Sequence, residues 1–242
     1  MSMTHLTLAL IANLAMLVGG YVYGVRLLRR HHNFLLGFEW IVIALSGTNV
    51  LLLAATGVSH DSVSYHLMVF FDAFSRSFGM TVIFVLGMMA VTHRYRPTWI
   101  VETVAILAGV AVGLNRALDV RPVSLSWTAF YTVANLGVAV FMLYVAARLF
   151  RIGERRHGIW VTVATVLGAL IAVSYDVVRI PGDDADRALF YSIAMAIWAL
   201  MLVTYYYAYR ALEEHQRGLS AAAGAPETGD ARPAASLAER VP

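Results

Sequence analysis

The chain has 242 residues, of which 60% are hydrophobic and 14% are charged, so a soluble domain of this length could not bury its apolar side chains in one core. Lysine and cysteine are both absent, which excludes a retinal Schiff base, disulfide bonds, thiolate metal sites and cysteine nucleophiles. The formal net charge of +3 is too small and too dispersed to indicate a nucleic-acid partner, and the composition instead predicts a protein of the lipid bilayer.

Seven apolar segments follow one another along the chain, and each is long enough to cross about 30 Å of hydrocarbon. The breaks between them are short and polar, so consecutive helices should be antiparallel neighbours. The predicted fold class is therefore an all-α polytopic membrane bundle of seven transmembrane helices. They are predicted approximately over residues 6–28, 34–56, 64–91, 98–115, 126–149, 158–180 and 188–210.

Arginines near the predicted helix ends indicate how the bundle is oriented. Eleven fall on one side and four on the other, which predicts a multi-pass protein of the cytoplasmic (inner) membrane with an outer N-terminus and a cytoplasmic C-terminus. The first segment lacks a basic leading region and a cleavage site, so we expect it to be retained. Residues 1–212 are predicted to form the transmembrane domain, and residues 213–242, which show no apolar periodicity, a disordered cytoplasmic tail.

The first and fifth predicted helices share a repeat at a spacing of 122 residues, with seven identities in eighteen positions. One interpretation is two parallel three-helix halves joined by a linker helix, a plan known from transporters. The other is chance resemblance between apolar helices that end in arginine. Asn13 and its counterpart Asn135 are expected to hydrogen-bond between helices, and small-residue seams for close helix contact are predicted at Gly20, Gly24, Gly109 and Gly113.

The stretch VFFDAFSRSFGM in the third predicted helix carries Asp72, Ser75 and Arg76 on one helix face. At 1.5 Å per residue, Arg76 lies about 18 Å below the outer helix end, near the membrane centre. An arginine there costs about 2.5–3.5 kcal/mol, so it must face protein or water and needs a partner, for which Asp72 is the local candidate. These residues are either an ion pair that fixes helix packing or part of a substrate-binding site.

The stretch SYDVVRI at the outer end of the sixth predicted helix adds Tyr175, Asp176 and Arg179. If the third and sixth helices face a common interior, two acids and two arginines would hold a zwitterion or an anion. Interfacial solvation of Asp176 and Arg179 is the alternative. Tyr191 and Trp198 of the seventh helix are either further substrate-binding residues or ordinary packing aromatics.

Glu39 lies about 8 Å into the second helix from its cytoplasmic end, and Ser46 and Asn49 follow on nearly the same face. This stripe is either a relay for protons or cations or a set of helix-to-helix hydrogen bonds. No pair of histidines is spaced to hold a metal deep in the bundle, because they lie in a loop (His31, His32) or at helix ends (His60, His66, His93, His157). We therefore predict no metal site. No motif indicates a cofactor or a catalytic residue.

The layout of three, one and three helices resembles that of SWEET and PQ-loop transporters, and seven outside-to-inside helices resemble rhodopsins and the membrane sensor regions of some histidine kinases. The chain lacks the proline-glutamine pair of the first group and the lysine of the second, and no proline interrupts a predicted helix as in many transporters.

Three functions are consistent with these residues. The first hypothesis is a small-solute transporter or permease that binds a charged or zwitterionic molecule in the outer half of the bundle. The second is a non-catalytic seven-helix sensor or partner subunit, and the third is an intramembrane enzyme acting on a lipid or isoprenoid, with Glu39, Asp72 or Asp176 as acid or base. The expected partners are the lipid bilayer, a small polar or anionic ligand, and either a second copy of the chain or another membrane protein.

Overall fold

The computed structural model describes residues 3–57, 59, 61–119, 121–178, 180–181, 183 and 187–224. These residues form seven helices long and apolar enough to cross a membrane and contain no strand, so the predicted all-α bundle is confirmed over this part of the chain. The helices, numbered first to seventh, are Met3–Arg30, Phe34–Thr56, Val63–Thr92, Trp99–Leu118, Leu125–Arg151, Arg155–Ser174 and Ala188–Gly224.

The helix ends define two faces of the bundle. The N-terminal face carries the connections at residues 57–62, 119–124 and 175–187, and the C-terminal face carries those at residues 31–33, 93–98 and 152–154. The sixth helix is shorter than predicted, so that Tyr175 and Asp176 lie in the turn after it. The seventh helix is longer than predicted and continues beyond residue 213 to Gly224, while residues 225–242 are outside the described part.

Polar caps set where several helices begin. The Asn33 side chain accepts the backbone N–H of Leu36 at 3.1 Å, and Ser62 caps the third helix by accepting the N–H of Tyr65 at 3.2 Å. Such caps satisfy N–H groups that have no partner within the helix. They allow short connections, which keep consecutive helices side by side.

The helices form a closed ring in which the first packs against the seventh. Within each half the contacts run in sequence, from first to second to third and from fifth to sixth to seventh, and the third also packs against the fifth. If the first, second and third helices correspond to the fifth, sixth and seventh, the contact between first and seventh corresponds to the contact between fifth and third. Two parallel halves are expected to show such a matching pair of contacts. The fourth helix packs mainly on the third, which suits the role of a linker helix.

The repeated asparagines bond between helices, as predicted, but to different partners. Asn13 donates to the carbonyl of Gly47 on the second helix at 3.3 Å, whereas Asn135 donates to the carbonyl of Arg76 on the third at 3.2 Å. The second helix lies next in sequence to the first, but the third does not lie next to the fifth. The two halves therefore differ in their polar contacts even where their sequences repeat.

Glycines allow the closest helix contacts. A Cβ at Gly20 or Gly24 would collide with or crowd atoms of the second helix, and a Cβ at Gly109 or Gly113 would collide with phenylalanine rings of the third. Both predicted seams are confirmed, and they hold the second and fourth helices against their neighbours.

The third helix changes its winding in the middle of the membrane. Val63–Phe74 and Phe84–Thr92 are α-helical, and Ser75–Ile83 between them is π-helical. We call residues 75–83 the π segment. Most π-helical turns are short, and they occur frequently at functional sites. This one begins at the stretch that carries Arg76.

Side chains satisfy backbone carbonyls along the π segment. The Ser77 hydroxyl donates to the carbonyl of Ala73 at 2.6 Å, and the Thr81 hydroxyl donates to the carbonyl of Ser77. The Asn135 amide reaches the carbonyl of Arg76 from the fifth helix. Hydroxyl and amide groups thus support the widened turns, since they bond to carbonyls that a regular helix would engage itself.

Candidate functional site

Arg76 points into the bundle, where 11% of its side chain is exposed. Its Nη1 donates to Asp72 Oδ2 at 3.4 Å and to Asp176 Oδ1 at 3.2 Å, and its Nη2 donates to Asp176 Oδ2. The predicted contact with Asp72 is present, but the forked contact with Asp176 is the stronger one. Because Asp176 follows the sixth helix, this contact joins the third helix to the sixth.

Two tyrosine rings contact the same guanidinium. The Cζ atom of Arg76 lies 4.3 Å from the ring centroid of Tyr131 on the fifth helix and 4.1 Å from that of Tyr175. The Tyr175 hydroxyl also donates to Asp72 Oδ1 at 2.8 Å. Each cation–π contact contributes about 0.5–2 kcal/mol, with the larger values away from water. We call Asp72, Arg76, Tyr131, Tyr175 and Asp176 the Arg76 cluster.

Residues next to and within the seventh helix hold Tyr175 in place. Arg187 donates from Nη1 to the Tyr175 carbonyl at 2.5 Å, and its Cζ lies 4.2 Å from the ring centroid of Phe190. The rings of Tyr191 and Trp198 lie 5.9 and 6.1 Å from the ring of Tyr175. Tyr191 and Trp198 therefore support the cluster through Tyr175.

The Arg76 cluster contains two carboxyl groups and one guanidinium, and the guanidinium of Arg187 lies next to it, where it donates to the Tyr175 carbonyl. Asp72 is its most accessible charged group, with 33% of the side chain exposed against 11% for Asp176. The hydroxyl of Tyr131 and the Nε atom of Arg187 are buried without a hydrogen-bond partner. Since buried polar atoms normally have partners, each of these two atoms has a free hydrogen-bonding position.

The structure brings four of the predicted substrate-binding residues into direct contact, namely Asp72, Arg76, Tyr175 and Asp176. Ser75 is half-buried and faces Glu39 of the second helix instead, and Arg179 lies outside the described residues. The sequence-based reasoning missed Tyr131, and it used Arg187 only to predict orientation. Tyr131 precedes Asn135 by one helical turn, so a search for aromatic residues on the same face as Asn135 would have found it.

The predicted stripe on the second helix has a different arrangement. Asn49 donates to the carbonyl of Ser64 at 2.7 Å and accepts its hydroxyl at 2.8 Å, which links the second and third helices. Ser46 is half-buried, and Glu39 is fully buried. Within the described residues no hydrogen bond joins these three side chains, so a relay through all of them stays a prediction.

A second polar region lies at the C-terminal face. His31 contacts Glu213 Oε2 at 2.6 Å through Nδ1 and the Tyr206 hydroxyl at 3.3 Å through Nε2. A cavity of about 130 Å³ lies beside it, between the starts of the second and fourth helices, and a smaller one of about 30 Å³ lies beside Asn135. Neither cavity is lined by a residue of the Arg76 cluster.

Comparison of the chain with family models, with curated proteins and with solved structures found no match in any of the three. Among the residues that the structure describes, no three His, Cys, Asp or Glu side chains lie close enough together to hold a metal ion. The class of protein that fold and site define is a seven-helix integral membrane protein with an ion cluster inside the bundle.

Proposed function

We propose that this protein is a small-solute transporter or permease, and that the Arg76 cluster binds a charged or zwitterionic solute in the half of the bilayer next to the N-terminal face. The observation that carries the proposal is the forked contact between Arg76 and Asp176, because it joins the two halves of the bundle. A solute that competes for these groups would loosen the third helix from the sixth. Movement of one half against the other is a recognised mechanism of alternating access.

The partly exposed carboxyl group of Asp72 favours a solute with a cationic group. Asp72 is partly exposed and its Oδ2 receives only a long contact from Arg76, so an ammonium group would find an acceptor there. The tyrosine rings next to Asp72 would add cation–π attraction. An amino acid or an amine therefore fits the cluster better than a simple anion.

We also propose that the N-terminal face is the outer face of the inner membrane. The support for this orientation is the excess of arginine near the C-terminal face.

A second candidate function is a sensor or partner subunit, which the seventh helix favours. His31, which follows the first helix, contacts Glu213 of the seventh helix at 2.6 Å, about three turns before that helix ends at Gly224. A rearrangement of the bundle would therefore reach the end of this helix, where a second copy or another membrane protein could respond to it.

The transport proposal is tested with purified protein and defined probes. Choline, putrescine, alanine and glutamate are first screened by thermal shift, because a ligand that binds only the folded form raises Tm. The probes that raise Tm are then followed as radiolabelled solutes into proteoliposomes. We expect Arg76→Lys, which keeps the charge but loses the fork, to reduce uptake about tenfold or more, since a charged hydrogen bond contributes about 1.5–3 kcal/mol.

Arg121→Ala is the matched control, because Arg121 is also near the N-terminal face but 83% exposed. This variant should take up the probe as the wild type does. Wild-type uptake by Arg76→Ala protein would contradict the transport proposal. Stable association with another membrane protein, together with no uptake of any probe, would favour the sensor.

A further inference from the structure

Glu39 is the one acid of the described residues whose side chain is fully buried, at 0% exposure. Neither of its carboxyl oxygens has a hydrogen-bond partner. It lies about 8 Å along the second helix from the C-terminal face, well inside the apolar span. A buried polar group without a partner in a native protein requires an explanation.

The carboxyl group of Glu39 packs directly on the π segment. A Cβ at Gly79 would collide with both carboxyl oxygens, so the carboxyl fills the space that a side chain at residue 79 would occupy. The Ser75 hydroxyl faces this carboxyl, but the two groups do not meet the geometry of a hydrogen bond. Glu39 is therefore held against a segment of the third helix that begins at the Arg76 cluster.

Charged and titratable side chains on the surrounding helices are bound to other groups. On the third helix, Asp72 and Arg76 contact each other and the turn after the sixth helix. On the first helix Tyr23 bonds to a seventh-helix tyrosine, and on the seventh helix Tyr205 bonds to a sixth-helix threonine. In the described part of the chain, no cation compensates a negative charge on Glu39.

An ionised carboxylate without a partner at such a place costs several kcal/mol, whereas the neutral acid costs far less. We propose that Glu39 is a proton-binding site, which holds a proton on its carboxyl group while that group packs on Gly79. When the π segment moves away from the second helix, water reaches the carboxyl and takes the proton. The products are a carboxylate on Glu39 and a hydronium ion, so the site releases one proton to the solution.

The proton site and the proposed solute site share one stretch of the third helix. Movement of the π segment would change the packing of Glu39 and the contacts of Arg76 together, and would link release of the proton to release of the solute. This coupling rests on the proposed transport function. The proton-binding site itself does not.

Infrared spectroscopy of the full chain in a maltoside detergent, which has no ester carbonyl to overlap the acid band, tests the proton site. A protonated carboxylic acid has a carbonyl band separate from the bands of carboxylates and amides, and this band shifts in heavy water. We expect the wild type to show it at neutral pH, Glu39→Gln to lack it, and Glu102→Gln to retain it as the matched control. A wild type without the band, or a Glu39→Gln protein that keeps all of it, would overturn the proposal.

A second measurement on the wild-type chain covers the case in which Glu39→Gln does not fold. Glutamate labelled with carbon-13 at the side-chain carboxyl shifts the acid band only if a glutamate carries the proton. An unshifted band would show that the acid is an aspartate and would reject Glu39.

Transport coupling is measured separately with a pH-sensitive dye inside proteoliposomes. A probe from the thermal-shift screen should move protons in the wild type, and Glu39→Gln should lose this proton movement while Arg121→Ala keeps it. If no probe is transported but the acid band belongs to Glu39, the transport function fails and the proton site stands. If Glu39→Gln still moves protons with the probe, transport stands and the coupling role of Glu39 is wrong.

Discussion

At the scale of single residues, a charge persists inside a bilayer only where protein groups replace the water that would otherwise solvate it. For Arg76 these protein groups are the carboxylates of Asp72 and Asp176 and the rings of Tyr131 and Tyr175. The partner closest in sequence, Asp72, makes the longer contact, and the partner a hundred positions away makes the forked one. The cluster therefore depends on the assembled bundle rather than on the third helix alone.

Replacing Arg76 should destabilise the protein as well as affect transport. Arg76→Ala leaves Asp72 and Asp176 inside the bundle without the cation they share, and we expect the free energy of unfolding to fall by about 3–5 kcal/mol. Arg76→Lys should cost less, because the charge stays while the fork and the ring contacts are lost. Thermal unfolding in detergent measures both changes.

Arg121→Ala removes an exposed arginine from the same face and should change the free energy of unfolding by no more than about 0.5 kcal/mol. Arg76→Ala protein as stable as the wild type would show that the cluster does not stabilise the bundle.

At the scale of the element, hydropathy predicts the extent of the third helix but not its internal geometry. The predicted range 64–91 agrees closely with the observed Val63–Thr92, because length and apolar composition determine where a chain crosses a bilayer. The π segment was not predicted, since part of its support comes from Asn135 and Glu39 on other helices. Apolar periodicity within one helix contains no information about such partners.

The contact of Glu39 with the π segment gives a prediction about Gly79. Gly79→Ala places a methyl group where the carboxyl oxygens lie, and this overpacking should cost about 1–3 kcal/mol of unfolding free energy. In a Glu39→Ala background the same change should cost much less, because the colliding group is gone. A double-mutant cycle measured by thermal unfolding gives the interaction energy between the two sites, expected at about 0.5–3 kcal/mol.

Gly137→Ala on the fifth helix is the control for that cycle, since nothing lies within 4 Å of a Cβ built there. It should be neutral or slightly stabilising, because alanine favours a helix more than glycine does. Equal costs for Gly79→Ala with and without Glu39 would rule out the described contact.

At the scale of the whole molecule, composition and hydropathy predicted the class and the number of helices, but not which helices are neighbours. The short connections indicated sequential packing, which the structure has, but they do not indicate that the first helix lies against the seventh. That contact depends on complementary surfaces, such as the space at Gly19 that receives Leu202. For the same reason Asp176 could be named as a candidate, whereas its forked contact with Arg76 could not be predicted.

Closure of the ring is testable by cross-linking, because the chain has no cysteine of its own. A Cβ at Gly19 would lie 3.8 Å from the Cβ of Leu202, a separation typical of disulfides. We expect the pair Gly19→Cys and Leu202→Cys to form a disulfide on mild oxidation. After cleavage at a protease site inserted in the 119–124 connection, the two fragments should remain joined.

The pair Gly57→Cys and Leu202→Cys is the control and should separate into two fragments after the same treatment, since Gly57 precedes the cut and no atom lies within 4 Å of a Cβ built there. Separation of the Gly19 pair as well would mean that the first and seventh helices are not in contact.

Contact between the first and last helices also has a consequence for biosynthesis. At ordinary ribosome speeds the seventh helix emerges roughly ten to thirty seconds after the first has entered the membrane. Throughout this interval the side of the first helix that will meet the seventh faces lipid or the insertion machinery. Chains that terminate early would leave this side permanently uncovered, and membrane quality-control proteases would have a feature by which to recognise them.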